Sequence, residues 1–217
     1  MKTLFVETKK KFDENSIKYE LLDKLPGDTI SIAATIQYLD LVEEVKIYLE
    51  TLGKKVLIRK GAYHDAHVLG CNSSAFDKDA DTLLMITDGK FHAINNAIQI
   101  QKEIFVFTTH TLEKVEQKEI DEHNKRTLTK KKKFLAAKVV GLIVSNKSGQ
   151  HQKAIYNIRE RIGKSGKKVY VFECGDIDVG EFENFVQVGI WVNTACFGLA
   201  RDDMRIVNLA DILEFLD

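Results

Sequence analysis

The sequence predicts an α/β protein of two tandem related domains, each a small parallel sheet flanked by helices. Three observations lead there. Short runs rich in Val, Ile and Phe alternate with amphipathic stretches, the pattern of parallel strands joined by crossover helices. The stretch "GKKVLI" at 53–58 returns as "GKKVYV" at 166–171, an offset of 113, and the same offset lays "TISIAATIQ" on "LIVSNKSGQ" so that Gln37 falls on Gln150. Finally, "TLEKVEQKEIDEHNKRTLTKKKKFLAA" at 111–137 is mostly charged and contains no strand-like run, so it reads as a linker helix between two strand groups. One domain is therefore expected over 1–115, and the linker helix with a second domain over 116–217.

Taken in order, strands are expected at 3–6, 29–35, 55–59, 82–87, 103–108, 139–145, 168–172 and 189–194. Each is a short apolar run of strand-forming residues. The segment "DLVEEVKIYLETLG" places Leu41, Val45, Leu49 and Leu52 at helical spacing, with Asp40 as the N-cap and Gly53 as the stop. "HQKAIYNIRERIG" repeats that design with Ala154, Ile155, Ile158 and Ile162 on the apolar face and Gly163 at the end.

Charge and cysteine usage exclude several function classes. Lys plus Arg and Asp plus Glu are both 32, so no global field attracts nucleic acid or an anionic membrane. The amino-terminal "MKTLFVETKKKFD" has an apolar run of only four residues, short of a signal peptide's apolar region. No later run approaches the roughly 20 apolar residues of a spanning helix. The chain reads as cytoplasmic, with neither membrane nor direct nucleic acid as partner. In "KRTLTKKKK" at 125–133, six of nine residues are cationic, but flanking acids and the lack of interleaved aromatics favour a solvated helix face over a nucleic-acid grip. No glycine-rich nucleotide fingerprint is present. The three cysteines, Cys71, Cys174 and Cys196, form no CxxC pair, which disfavours a disulfide framework or a self-contained zinc site.

In open parallel sheets, ligands bind beyond the carboxyl ends of the strands. Gln37, Cys71, Asp88, Gln150, Cys174 and Cys196 all fall at such ends. His64 and His67 stand close to Cys71 in "HDAHVLGC", but no second ligand pair accompanies them at a structural zinc spacing. A Cys–His nucleophile pair with His92 or His110 as base has no local mark, and a lone cysteine beside a strand is commonly a small core residue.

Four ordered segments, "HVLGCN" (67–72), "DGKFHAI" (88–94), "GLIVSNKSGQ" (141–150) and "VNTACFGLARDD" (192–203), resemble the motifs of the diphthamide synthases, the 2-(3-amino-3-carboxypropyl)histidine synthases. The resemblance runs over nearly the whole chain. It implies three related α/β domains, each giving one cysteine to a 4Fe-4S cluster whose fourth iron takes S-adenosylmethionine. It also implies an atypical radical reaction that adds a 3-amino-3-carboxypropyl group to a histidine of elongation factor 2. Cys71 matches the middle domain's cluster cysteine, Cys196 matches the last domain's, and Cys174 matches none. The family's first domain would precede residue 1, so the third ligand is expected from a partner chain, from a second copy of this chain, or from Cys174. A noncatalytic interaction subunit, or a degenerate paralogue without its own cluster, is the alternative. After Cys196, Phe197 and Gly198 stand where the family usually has a proline and a basic residue. Gln37, Asp88, His92, Ser145, Lys147 and Gln150 are the candidate contacts to S-adenosylmethionine or substrate, and Gln150, at a helix start, is placed for its carboxylate. If the basic run has a role, docking of the protein substrate fits the resemblance best.

Overall fold

Residues that are apolar on both faces of a strand must be covered on both sides, and this produces two layered α/β units. The computed structural model describes Leu4 and residues 6–147 and 154–216. The chain divides into two compact units at Asp121 and Glu122. In the first, β1 (Thr29–Ala34), α1 (Val42–Thr51), β2 (Lys55–Leu57), β3 (Thr82–Ile86), α2 (Lys90–Ile100), β4 (Ile104–Phe107) and β5 (Leu112–Val115) build a sheet of order β2-β1-β3-β4-β5. All pairings are parallel except β4 with β5. Alternation along the strands sends Ile30, Ile32 and Ala34 into the core beneath Val45 and Leu49 of α1. Ala33, Leu83 and Met85 face the other core, with Ala93 and Ala97 of α2.

The second unit repeats the plan. β6 (Val139–Ser145), α4 (Ile155–Lys164), β7 (Lys168–Cys174), β8 (Ile190–Asn193), β9 (Ile206–Asn208) and the short α5 (Leu209–Ile212) form a sheet of order β7-β6-β8-β9, all parallel. Val140, Leu142 and Val144 pack with Ile155, Ile158 and Ile162 of α4, while Ile143 and Trp191 meet Phe182 on the opposite face. α3 (Gln117–Ala136) runs across the division, giving Ile120 to the first unit's core and Phe134 to the second's.

The α/β expectation is met, and the shared order 2-1-3-4 relates β1 to β6, β2 to β7, β3 to β8 and β4 to β9. The register corrects one detail. Thr29 pairs with Lys55 and Val139 with Lys168. If the two lysines are equivalent, the first strands are offset by 110 (29 to 139), not by 113 (55 to 168). Gln37 then corresponds to Lys147 rather than to Gln150. Gln150, with Ser148 and Gly149, lies outside the described residues, and α4 begins only at Ile155.

Other local differences have physical causes. β5 lies inside the segment read as strand-free, because Leu112 and Val115 turn to opposite faces of the sheet, each into its own core, while Glu113 and Lys114 pair with Lys90 and Glu103 and leave no apolar alternation. The expected strand at 3–6 falls partly outside the described residues, and its Leu4 and Val6 belong to no strand and are exposed. Asp40 does not cap α1. A 3-10 turn over Ile36–Leu41 precedes the helix, Leu41 takes the cap position, and Asp40 pairs with Lys9 at 3.0 Å. Ala154 is exposed rather than on the buried face, and α4 runs past Gly163 to Lys164, with the left-handed residue after its end being Gly166, whose φ of +79° favours the lack of a Cβ. The basic run is not wholly solvated, because Lys130 is 2% exposed and donates to the carbonyl of Ala200. Among the described residues, no helix is long and apolar enough to cross a membrane.

Candidate functional site

In the first unit, the loop after β2 returns along the carboxyl end of β1. The Ala34 N–H donates to Ala66 O at 2.8 Å, and the Val68 N–H donates to Ala34 O at 2.9 Å. Leu69 and Asn72 then exchange N–H···O bonds of 3.2 Å each, closing a tight turn with Gly70 and Cys71 at its tip. The Cys71 thiol is therefore exposed, on a depression of about 650 Å3 lined by Arg59, Asn72, Lys78 and Gln99. Gly70 lies against α2: a Cβ there would stand 3.4 Å from His92 and 3.4 Å from Asn95.

The other expected residues of this unit gather at the same end of the sheet. Gln37 lies in the 3-10 turn after β1, and its carbonyl accepts from the Lys10 N–H at 3.1 Å. Asp88, exposed after β3, meets Lys10 Nζ at 3.3 Å, and the same ammonium donates to the Tyr38 hydroxyl at 2.9 Å. His92 is half-buried in the first turn of α2, edge-on to Phe91. His64 turns away to Glu7 at 2.6 Å, while His67 is buried with its Nδ1 unpartnered.

In the second unit, Ser145 and Cys174 are register partners at the carboxyl ends of β6 and β7. Ser145 Oγ accepts from the Lys147 N–H at 3.1 Å, and the Lys147 ammonium pairs with Asp176 at 2.5 Å. Cys196 follows β8 and is exposed at the start of a 3-10 turn over Phe197–Ala200. Burial, helped by the carboxylates of Asp176 and Glu173, pushes the half-buried Cys174 thiol up, against the thiolate form that binds metal. Cys174 and Cys196 also follow strands on opposite sides of β6, so two inter-strand steps, about 10 Å, separate those strands.

Side-chain amides hold both turns. Asn96 Nδ2 donates to Leu69 O at 2.9 Å and Gln99 Nε2 to Gly70 O at 3.0 Å. Asn193 Nδ2 donates to Cys196 O at 2.9 Å, and Asn193 Oδ1 accepts from the Ala195 N–H at 3.0 Å. In the sequence, Asn193 stands inside the segment "VNTACFGLARDD", whereas Asn96 and Gln99 are marked only by "NNAIQ", two poor helix formers in an otherwise apolar helix face.

Burial lowers the pKa of His67, His92 and His123, so all three are favoured as neutral rings in the folded chain. Below the unfolded value of about 6.5, the unfolded chain therefore binds more protons than the folded one. Stability is fully present above that pH and falls as acid carries the solution through the folded pKa values. The urea midpoint is expected to drop between pH 7.5 and 5.5, and His67→Gln with His92→Gln and His123→Gln to flatten the drop. An unchanged slope in the triple variant would contradict this.

Comparison with known proteins follows the same lines. The diphthamide synthesis protein family matches residues 1–206. The chain is 26% identical over 215 residues to the 2-(3-amino-3-carboxypropyl)histidine synthase of Methanocaldococcus jannaschii, covering 94% of this chain and 57% of that one. It is 20% identical over 181 residues to subunit 1 of the mouse 2-(3-amino-3-carboxypropyl)histidine synthase, covering 82% of this chain and 41% of the subunit. The crystal structure of Dph2 from Pyrococcus horikoshii with a 4Fe-4S cluster is similar with a TM-score of 0.77 and 24% identity, over 90% of this chain and 58% of that one. The chain thus spans about half the length of the curated relatives it matches.

Proposed function

This chain belongs to the diphthamide synthesis protein family, and from that premise we propose that it forms part of a 2-(3-amino-3-carboxypropyl)histidine synthase. The reaction read for it moves a 3-amino-3-carboxypropyl group from S-adenosylmethionine to a histidine of elongation factor 2, using a 4Fe-4S cluster. Residues 1–115 take the place of the family's middle domain and 116–217 that of its last. The observation that carries the reading is that Cys71 and Cys196, unlike Cys174, are exposed thiols on hydrogen-bonded turns at the carboxyl ends of parallel sheets.

Those two side chains suit the group, since thiolates hold iron–sulfur clusters and neither thiol is buried. When bound, the cluster supplies the electron that cleaves a sulfonium carbon–sulfur bond. Cys71 and Cys196 would each hold one iron, and a partner chain or a second copy would supply the third thiolate in preference to the half-buried Cys174. Asp88 and Lys10 in one unit, and Lys147 and Asp176 in the other, form exposed ion pairs that can open to an amino acid's ammonium and carboxylate. Gln37 and Ser145 stand beside them as polar contacts, and Gln150 remains a proposed contact on sequence grounds. His92, favoured neutral by burial, contributes a ring hydrogen bond rather than a charge.

That the chain presents two such thiols rather than three also favours a second reading, an interaction subunit without its own cluster. Anaerobic reconstitution with iron and sulfide decides between them, with the chain alone and mixed with chains that carry the third cysteine. The synthase reading expects a cluster EPR signal in at least one mixture, and transfer from carboxyl-labelled S-adenosylmethionine to elongation factor 2. No cluster in any mixture rejects it and leaves the interaction subunit.

A further inference from the structure

Both cysteine turns are fixed through their carbonyl oxygens by side-chain amides. In the first unit, Asn96 and Gln99 lie three residues apart on one face of α2, and they donate to the two carbonyls that precede Cys71, at 2.9 and 3.0 Å. Asn96 is fully buried, and its Oδ1 has no partner. Beside it Asn95 is 1% exposed, and its Oδ1 is also unpartnered. In the second unit, Asn193 is 2% exposed and donates both to the carbonyl of Cys196 and to Asn208 Oδ1 at 2.7 Å.

A buried carboxamide with an empty acceptor destabilises a helix, and Asn is a poor helix former to begin with. Leucine, with the same branching and no polar atom, would bring no unpaired acceptor to position 96. The polar side chain makes sense if its N–H is needed at the turn. A thiol carried on a turn whose carbonyls are tied down points in one direction before any metal arrives, and groups that orient ligands in this way set metal affinity.

We propose that Asn96, Gln99 and Asn193 are positioning residues, which aim the Cys71 and Cys196 thiols at the metal by fixing the carbonyls of their turns. This rests on the reading of those cysteines as ligands. Residue-resolved amide exchange in the metal-free chain gives the first test. Asn96→Leu with Gln99→Leu should speed exchange at the Leu69 and Asn72 amides by about tenfold or more, while Met85 in the adjacent sheet and Leu199 in the other unit stay unchanged. Asn193→Ala should do the same at Ala195 and Leu199 only.

Reconstituted protein gives the second test. Each variant should lose iron to a chelator about tenfold faster and show altered g-values in EPR. Exchange that is unchanged at the turns, or that rises equally at Met85, overturns the proposal. So does normal iron retention in variants whose wild type holds a cluster. If the wild type itself takes up no cluster in any mixture, the ligand reading falls and the positioning role falls with it. The exchange data distinguish that outcome from a turn that was never clamped.

Discussion

Alanine at Cys71 or at Cys196 is expected to leave the reconstituted assembly with roughly a tenth or less of the wild-type iron, while alanine at Cys174 leaves it loaded. Removing even a group that only orients a metal ligand costs about 10- to 100-fold in affinity, and removing the ligand itself costs more. Cys71 and Cys196 are exposed at turn tips, with no packing for an alanine to disturb, so both variants should fold normally. Burial, helped by the neighbouring Asp176 and Glu173, favours Cys174 as a thiol. Iron and sulfide content, visible absorbance and EPR, measured on all three variants in the same partner mixture, give the comparison. Equal iron in all of them would remove the case for a cluster in this chain. A loss confined to Cys174→Ala would move the metal to the end of β6 and β7.

Why the cysteines were legible and the supports on α2 were not follows from what kind of information each needs. Cys71 and Cys196 stand in short ordered motifs, so one chain is enough to mark them. The carboxamides at 96, 99 and 193 matter through partners 27, 29 and 3 residues away, and only the fold brings the distant ones together. Lys130 shows the same limit. Its place four residues before the buried Phe134 puts it on the inward face of α3, yet its acceptor at Ala200 lies 70 residues on.

The strands divide in a similar way. β1, β3 and β6 are buried on both faces, so they read as continuous apolar runs. β5 is an antiparallel edge with two charged residues in four, and β9 has only three residues, so neither gives a periodic signal long enough to separate from a loop. Val45, Leu49, Ile155, Ile158 and Ile162 were visible from spacing as buried helix faces, whereas the helix ends were not, and the outermost Leu52 and Ala154 are exposed. The 3-10 turn before α1 moves its start past Asp40, and Gly166 rather than Gly163 terminates α4.

Gly61→Ala is expected to be the most damaging single methyl that can be added to the loop leading to Cys71. A Cβ at Gly61 would lie 2.0 Å from the His67 carbonyl oxygen and 2.7 Å from its carbonyl carbon and nitrogen. These are backbone atoms, so no rotamer change relieves the clash. Nor is the strand free to retreat, because Ala62 donates to His67 O at 2.8 Å and Val68 donates to Ala34 O at 2.9 Å. Overpacking usually costs about 1–3 kcal/mol, and a clash against pinned backbone belongs at or above the top of that range. For a chain of this size, about 3 kcal/mol corresponds to a fall of roughly 6–12 °C in Tm.

The loss should be local to the first unit. The chain's one tryptophan, Trp191, is buried in the second, so its fluorescence follows that unit while circular dichroism follows both. The dichroism transition of Gly61→Ala should split, with an early phase that Trp191 does not report. Displacing His67 and Val68 from β1 also displaces the turn at 69–72, so iron retention should fall with the early phase. Gly163→Ala is the control of opposite sign. Nothing lies within 4 Å of a Cβ there, and the site is in the last turn of α4, so it should gain about 0.5–1 kcal/mol in the second unit's transition. A wild-type dichroism profile for Gly61→Ala would mean that the loop has slack, and that Cys71 is not held by the path from β1.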